Sequence, residues 1–394
     1  MTAAGKLIVF QSGGPTPVVN ASLVGAVRAG RERGVPGILG ARFGFEGVLA
    51  SNYVDLTDIS ASAVERLRRT PGAALGSSRH RPSDAETAQA VELLHERGVE
   101  YVVAVGGNDT ADSLHRLHDA ARASSRTLAV VGIPKTIDND LVGMDHCPGY
   151  GSAARYMALA LREADLDTAA MQRTDPIKIV EVMGRNSGWL AAAGALARES
   201  IGDAPQVIFL PERPRPLSQM LSEIRVAHAA NGWAVIVVCE NQRNEAGQPV
   251  AGGEPAYVDA HGHPYFESVG AFLARAVQAE LGLRARYERP GSLQRTSALA
   301  ISETDLVEAE LVGAEAVHLA VAGESDTIVA IQREPGPDYR VSLGCLPLAE
   351  VARAERKLPD AFIADSGIDV TDRFLDYARP LIGGPLPELT RLSL

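Results

Sequence analysis

Short apolar runs of strand length alternate with segments of helical length along most of this chain, and this alternation limits the possible folds more than any other feature of the sequence. The runs cover residues 6–10, 101–105, 128–133, 177–182, 206–210, 234–238 and 327–331. Continuous apolar strands joined by helices are typical of parallel sheets covered on both faces. The sequence therefore predicts an α/β fold with mainly parallel sheets, in which ligands bind beyond the carboxyl ends of the strands.

Length and charge exclude several classes of protein. With 394 residues, two lobes are expected instead of one core. The chain has 38 basic and 49 acidic residues without a basic cluster, so nucleic acid is not an expected partner. No apolar run approaches the roughly 20 residues that span a bilayer, and we expect no membrane association and a cytoplasmic location. Cys147, Cys239 and Cys345 lack the spacing of a disulfide framework or a zinc site, and we expect three buried, reduced thiols.

Two of the predicted strands are each followed by a pair of glycines and then by a segment of helical length. The pairs are Gly13 with Gly14, and Gly106 with Gly107. Glycine lets backbone N–H groups approach a phosphate, and a helix N-terminus adds partial positive charge. Tight turns also use glycine for steric reasons alone, but two such loops in one sheet indicate a phosphorylated ligand. No Gly-Lys-Ser/Thr triplet occurs, which excludes a Walker A loop.

Residues 134–140 form the most informative segment of the sequence. Directly after a predicted strand, they place a cation, a hydroxyl and two carboxylates together, from Lys135, Thr136, Asp138 and Asp140. Such groups are costly to bury unpaired, and they suit magnesium binding and proton transfer. The structural alternative is a polar loop with an Asx turn and a helix cap.

These segments occur in the order seen in the phosphofructokinases, which the chain resembles over most of its length. The matching segments are the first glycine pair with Asn20, residues 75–79, 106–110, 136–140 and 181–185, Glu240, and residues 294–295. Residues 377–384 are similar to the longer bacterial, mostly pyrophosphate-dependent branch. The resemblance implies two Rossmann-like lobes with mainly parallel sheets covered by helices. Residues 1–149 and 295–345 would bind the phosphoryl donor, and residues 150–294 and 346–394 the sugar phosphate.

The resemblance also implies a role for each matching residue. Asp138 would be the general base for the sugar 1-hydroxyl, with Thr136 and Asp140 beside it, and Arg79 would hold the transferring phosphate. The residues expected to bind the donor are Gly13, Gly14, Gly107, Asn108, Asp109, Thr110 and Lys135. The residues expected to bind the sugar phosphate are Met183, Gly184, Arg185, Glu240, Arg286 and Arg295.

Two positions indicate the donor. ATP-using members of the family have a small residue at position 109 and glycine at 135, whereas this chain has Asp109 and Lys135. An aspartate crowds and repels an α-phosphate, and an ammonium group suits compact pyrophosphate. The chain is therefore expected to transfer phosphoryl from pyrophosphate to the 1-hydroxyl of fructose 6-phosphate, reversibly and with Mg²⁺. Because Asn108 replaces the aspartate that the family links to the metal, we expect Asp109, Asp138 and Asp140 as its ligands.

Several departures from the family pattern leave alternatives open. Ser292 stands where many ATP-dependent members have a phosphate-binding histidine, and Pro176 stands near where they supply an arginine to a neighbouring subunit. ATP as donor, sedoheptulose 7-phosphate as acceptor, and a weakly catalytic regulatory paralogue are the alternatives. The family resemblance implies a homodimer or homotetramer. His261 and His263 lie in a Gly- and Pro-containing loop without further ligands, and we do not expect them to bind a metal.

Overall fold

The computed structural model of this protein describes residues 5–252, 257–258, 264–265 and 267–391. Its strands are β1 (Lys6–Gln11), β2 (Ile38–Ala41), β3 (Tyr53–Asp55), β4 (Val99–Gly106), β5 (Ala129–Pro134), β6 (Ile177–Val182), β7 (Val207–Phe209), β8 (Ala234–Cys239), β9 (Tyr257–Val258), β10 (Pro264–Tyr265), β11 (Ala285–Glu288), β12 (Thr327–Arg333) and β13 (Val341–Pro347). Its α-helices are α1 (Val19–Glu32), α2 (Phe45–Leu49), α3 (Ala61–Arg68), α4 (Asp84–Glu96), α5 (Asn108–Ala123), α6 (Tyr150–Ala170), α7 (Trp189–Ala193), α8 (Leu217–Asn231), α9 (Val269–Leu281), α10 (Glu303–Ala322), α11 (Leu348–Ala352) and α12 (Asp372–Ala378).

The chain divides into two compact units, each built from two stretches. The first unit is Met1–Ser152 with Arg295–Arg356, and the second is Ala153–Gln294 with Lys357–Leu394. A boundary at residue 345, as the family resemblance implies, passes through β13. The chain leaves the first unit only after α11, because β13 pairs with β12 and α11 packs against α5.

The first unit contains a seven-stranded sheet in the order β13-β12-β5-β4-β1-β2-β3. Its five inner strands run parallel, and the edge strands β3 and β13 are antiparallel to their neighbours. Successive residues of β1 enter different cores: Leu7 and Val9 pack with α1 and α10, whereas Ile8 and Phe10 pack with α4 and α5. The prediction of a mainly parallel sheet covered on both faces is therefore confirmed.

The strand register brings the ends of three central strands to one level. Gln11, the last residue of β1, pairs with Val105, and Gly106, the last residue of β4, pairs with Pro134 at the end of β5. The segments that follow these strands therefore start side by side at the carboxyl edge of the sheet. They are the two glycine loops and the loop that begins at Lys135.

The second unit contains a four-stranded parallel sheet in the order β11-β6-β8-β7. Apolar residues of β6, β7 and β8 form a core with α8 and α9, and Phe209, Ile224 and Leu273 are fully buried in it. The ends of β6 and β8 pair through Val182 and Cys239, so the residues that follow them are neighbours. In the described ranges, no helix is both long and apolar enough to cross a membrane.

The three cysteines do not share one environment. Cys147 and Cys239 are buried, as expected, but Cys345 is exposed. The expectation of three buried thiols is therefore wrong for this residue. Cys345 lies on β13, an edge strand along which exposed and partly buried residues intermix.

A buried ion cluster joins the loop before α6 to α10. His146 lies between two carboxylates, with Nδ1 at 2.8 Å from Asp145 Oδ2 and Nε2 at 2.6 Å from Glu308 Oε2. Tyr339 donates to Glu308 over 2.6 Å, and Arg333 pairs with Asp145. Burial lowers the pKa of His146, but the two carboxylates outweigh burial and raise it from 6.5 to about 9. The imidazolium is thus the cation that links the two carboxylates of this cluster.

The unfolding free energy is expected to fall by about 3 kcal/mol between pH 6.5 and 9.5 through His146 alone. The sign follows from the raised pKa: the stabilisation is complete below the unfolded value and is lost as the pH rises through the folded value. Urea unfolding of the wild type and of His146→Gln at both pH values measures this contribution. A wild type and variant that lose the same stability over this range would contradict the assignment.

Candidate active site

Lys135 connects the two glycine loops of the first unit. Its backbone N–H donates to Gly106 O over 3.0 Å, and its ammonium group donates to Ser12 O at 2.8 Å and to Gly14 O at 2.6 Å. The side chain is almost fully buried. The amide of Gly13 is bonded to Ser78 O, so this loop does not offer that N–H to a phosphate. The positive charge at the first glycine loop is therefore a lysine side chain fixed by the backbone.

Gly14 allows a guanidinium group to lie directly against this loop. A Cβ at this position would lie 2.5 Å from Nη1 of Arg295, far closer than van der Waals contact permits. Arg295, expected to bind the sugar phosphate, therefore contacts the glycine loop expected to bind the donor. Two cationic groups, from Lys135 and Arg295, approach the same turn, as suits a site for a polyanion.

The second glycine loop leads directly into α5, with Gly107 as the residue before the helix. Thr110 lies in the first turn and is buried, with its side chain against Gly106. Asn108 donates its side-chain amide to Val351 O at 3.1 Å and to Ala354 O at 2.8 Å. The loop therefore places a helix N-terminus at the carboxyl edge of the sheet, but the amide of Asn108 is directed to a distant segment.

Asp109 and Arg79 are both exposed at the same edge. The carboxylate of Asp109 forms an ion pair with Arg81 over 2.8 Å. Arg79 forms no ion pair with any residue for which the structure gives a position. Sequence analysis did not identify Arg81, although its spacing of two residues from Arg79 in an extended segment was a usable signal.

The loop from Thr136 to Asp140 is held by the residues before α6 and has its own internal bonds. Thr136 N donates to Pro148 O over 3.3 Å, and the hydroxyl of Thr136 accepts the N–H of Asp138 at 3.0 Å. Asn139 has a φ of 55°, a left-handed conformation that asparagine tolerates better than most residues. Asp138 is half-buried and Asp140 is buried. The hydroxyl of Thr136 thus closes an ST turn, the threonine counterpart of the Asx turn considered from the sequence, in the loop that carries these carboxylates.

Charges around this loop act on a thiol beneath it. Burial raises the pKa of Cys147 to about 12. The guanidinium of Arg356 lowers this pKa, whereas the carboxylates of Asp140 and Asp138 raise it. One arginine and two carboxylates therefore lie close to the same buried atom.

The three carboxylates expected to bind magnesium do not form one ligand group. Within the described ranges, no group of three or more His, Cys, Asp or Glu side chains is arranged so that it could hold a metal ion. Asp109 is instead paired with Arg81. Mg²⁺ is commonly held by one or two carboxylates together with substrate phosphates, and the loop of Asp138 and Asp140 fits that donor set. His261 and His263 lie outside the described residues.

In the second unit, Met183, Gly184 and Arg185 follow β6 and lie beside Glu240, which follows β8. Met183 N donates to Gln294 Oε1 over 3.2 Å, and Arg185 N donates to Glu240 Oε1 over 3.2 Å. Gly184 has a φ of 141°, and a Cβ there would lie 2.6 Å from Ser187 O. Only glycine fits this turn, which directs the backbone toward the carboxylate of Glu240.

Two glutamates lie close to this turn, and only Glu240 is bonded to it. Burial raises the pKa of Glu240, and bonds from the N–H groups of Arg185 and Gly184 oppose that rise. Glu181 opens the matching segment 181–185, but sequence analysis gave it no role. It is buried and accepts from Ser268 Oγ at 2.5 Å and Gly270 N at 2.8 Å. A glutamate inside an otherwise apolar strand was a signal for such a buried, fully bonded carboxylate.

Arg286 lies away from this group. It belongs to β11 and pairs in register with Lys178 near the amino end of β6, whereas Met183 follows the carboxyl end. Its guanidinium forms an ion pair with Asp175 over 3.0 Å. Strand β11 runs parallel to β6 and pairs only with the first four residues of β6. Arg286 therefore does not lie beside Met183 and Glu240 of the same chain.

Comparison with known proteins places the chain in a family. A family model described as Phosphofructokinase matches residues 6–320. The chain therefore belongs to the phosphofructokinase family, which confirms the resemblance of its motifs.

Individual relatives match nearly the whole chain. A pyrophosphate--fructose 6-phosphate 1-phosphotransferase of Xanthomonas campestris pv. campestris (strain B100) is 39% identical over 97% of this chain and 93% of its own length. A sulfofructose kinase of Alkalicoccus urumqiensis is 36% identical over 91% of this chain and 92% of its own. A crystal structure of pyrophosphate-dependent phosphofructokinase from Marinobacter aquaeolei has a TM-score of 0.86 at 33% identity, and the match covers 98% of this chain and 94% of that one.

Proposed function

We propose that this protein is a phosphotransferase that moves a phosphoryl group from pyrophosphate to the 1-hydroxyl of fructose 6-phosphate. The observation that carries the proposal is the ammonium of Lys135, buried and fixed to Ser12 O and Gly14 O beside the two glycine loops. A compact, highly charged donor suits a fixed point charge at this place. The names of two relatives that match nearly the whole chain support the same donor and acceptor.

In the proposed reaction, the sugar 1-hydroxyl oxygen attacks the terminal phosphorus and orthophosphate leaves. Asp138 accepts the hydroxyl proton, and Thr136 fixes the backbone of this aspartate through its hydroxyl. Arg79 donates hydrogen bonds to the oxygens of the transferring group, where negative charge is greatest. An anhydride donor and an ester product are close enough in energy for the reaction to run in both directions.

Magnesium is the proposed cofactor. Asp138 and Asp140 are the carboxylates that would hold it, together with phosphate oxygens of the donor. When bound, the ion neutralises charge on the phosphates. Asp109, which pairs with Arg81, would instead occupy the space that the α-phosphate of a nucleotide needs.

For the sugar phosphate, we propose that Met183, Gly184 and Arg185 line the site and that Glu240 accepts hydrogen bonds from sugar hydroxyls. Arg295 would bind the 6-phosphate. Arg286 lies near the amino end of β6 and thus away from the sugar site of its own chain. We propose that it binds the sugar phosphate in the site of a second copy, in a homodimer or homotetramer.

The proposal is tested by assays of the purified protein with each donor. Fructose 1,6-bisphosphate should form from fructose 6-phosphate with pyrophosphate and Mg²⁺. With ATP as donor, kcat/KM should be at least about 10²-fold lower, because the α-phosphate of the nucleotide must displace the carboxylate of Asp109. Turnover with ATP but not with pyrophosphate contradicts the donor assignment. Binding of fructose 6-phosphate without turnover with either donor supports a regulatory paralogue instead.

A second candidate differs only in its acceptor. A relative named sulfofructose kinase matches 91% of this chain, and Ser292 provides no cationic group where many ATP-dependent members have a histidine. A sulfonate carries less charge than a phosphate ester and needs fewer cationic partners. Competition between fructose 6-phosphate, sedoheptulose 7-phosphate and sulfofructose at equal concentration identifies the acceptor by kcat/KM.

A further inference from the structure

The segment 348–356, which comprises α11 and the four residues after it, contacts both the second glycine loop and the loop from Thr136 to Asp140. It lies far from both in sequence. The motifs that match the family do not include it. The family resemblance assigned it, with the rest of residues 346–394, to the sugar-phosphate lobe, whereas it belongs to the first unit. All the groups described below belong to the first unit.

The middle of this segment is fixed by Asn108. The side-chain amide donates to Val351 O at 3.1 Å and to Ala354 O at 2.8 Å. Since a primary amide has two N–H groups, these bonds use both. An aspartate at position 108 has no N–H to donate, and it would face two carbonyl oxygens with a negative charge. The asparagine is therefore suited to bind this segment and an aspartate is not.

The carboxyl-terminal part is fixed to the carboxylate loop. Leu141 and Glu355 form an antiparallel bridge, and Arg356 N donates to Asp140 O over 2.6 Å. The guanidinium of Arg356 also donates to Met144 O and Asp145 O. The backbone of the loop from Thr136 to Asp145 is thus bonded to this segment at several points.

Apolar packing makes the segment a rigid connection. Leu348 and Val351 are fully buried in the core that also contains Leu141, Met144 and Cys147. The thiol of Cys147 is the atom on which the charges of Arg356, Asp140 and Asp138 act together. The guanidinium of Arg356 and the carboxylates of Asp138 and Asp140 therefore lie around the buried thiol of Cys147.

We propose that the segment 348–356 sets the position of the Asp138 loop relative to the second glycine loop, with Asn108 and Arg356 as its two positioning residues. Asn108 thus serves as an anchor for this segment, in the place where the family usually supplies a metal-linked aspartate. This inference rests on the proposed function for its kinetic effects, but its structural effect is measured without turnover.

Asn108→Asp is the first test. The variant replaces an amide with two N–H donors by a carboxylate of nearly the same shape that has none. The segment therefore loses both of its hydrogen bonds to the side chain at position 108 of α5. We expect kcat with pyrophosphate to fall by about 10²-fold, the size of effect that a displacement of roughly 1 Å at a reacting group produces. KM for fructose 6-phosphate should change little. Asn52→Asp, which adds the same charge at an exposed position of the first unit, is the matched control and should retain the wild-type kcat.

Arg356→Ala is the second test, with Arg353→Ala as its control on an exposed residue of the same segment. We expect at least a tenfold loss of kcat for Arg356→Ala, partial recovery on addition of guanidinium at millimolar concentration, and no change for Arg353→Ala. If Arg356→Ala does not fold, Arg356→Lys is measured in the same way. A folded variant at Arg356 that keeps the wild-type kcat overturns its positioning role.

Hydrogen exchange separates this inference from the proposed function. Amides of residues 136–141 should exchange at least about tenfold faster in Asn108→Asp and in the Arg356 variant than in the wild type, because local opening becomes easier. If the wild type shows no turnover but this difference appears, the proposed function fails and the connection stands. If both variants are folded and their exchange in this loop equals that of the wild type, the connection is overturned.

Discussion

Asp138→Asn is expected to lower kcat by about 10²–10⁴-fold with pyrophosphate and fructose 6-phosphate, while KM for both substrates stays close to the wild-type value. The amide has the shape of the carboxylate but cannot accept the hydroxyl proton at neutral pH. The bond from the N–H of Asp138 to the hydroxyl of Thr136 involves only the backbone of this aspartate, so the loop keeps its turn. Initial rates in both reaction directions measure the effect.

Asp112→Asn is the matched control for this experiment. Asp112 is exposed on α5 in the same unit and loses the same charge on substitution. Its kcat and melting temperature should equal those of the wild type. An Asp138→Asn protein that is folded and turns over at the wild-type rate would falsify the assignment of Asp138 as the base.

The strands that the sequence revealed are those buried on both faces. The apolar runs at residues 6–10, 101–105 and 128–133 are β1, β4 and β5, because inner strands of a covered sheet need apolar side chains on either side. The two edge strands of the seven-stranded sheet did not stand out. β13 mixes exposed and partly buried residues, and β3 has three residues, none of them buried, so their places depend on pairing partners that the sequence does not specify.

Motif residues were identified by type, but their partners were not. Asn108 is bonded to carbonyls 243 and 246 positions away, and no local pattern indicates such contacts. The same holds for Arg356, whose segment carries no motif. For Arg286, the family resemblance implied a place in the sugar-phosphate site, whereas the end of the sheet on which it lies follows from the register between β11 and β6. Long-range pairing therefore decides what each motif residue contacts.

Lys135→Met is expected to lower kcat/KM for pyrophosphate by about 10- to 150-fold, mainly through KM of the donor. The ammonium donates to Ser12 O and Gly14 O and, in our proposal, also to the donor. Loss of one hydrogen bond from a charged group costs about 1.5–3 kcal/mol, which corresponds to this range of fold-change. Met has a similar length without charge, so the buried volume stays filled. The melting temperature should also fall, because the two carbonyls lose their donor.

Two further variants distinguish charge from space at this position. Lys6→Met removes an exposed ammonium of the same unit and should leave kcat/KM unchanged. Lys135→Arg keeps the charge, but the guanidinium group needs more room than the ammonium. The ammonium already lies only 3.3 Å from the position that a Cβ of Gly13 would take. We therefore expect the Lys135→Arg variant to lose donor affinity, as the Lys135→Met variant does. Only four of the 38 basic residues are lysines, which agrees with a position where arginine does not fit. Wild-type use of pyrophosphate by a folded Lys135→Met protein would show that the fixed ammonium does not bind the donor.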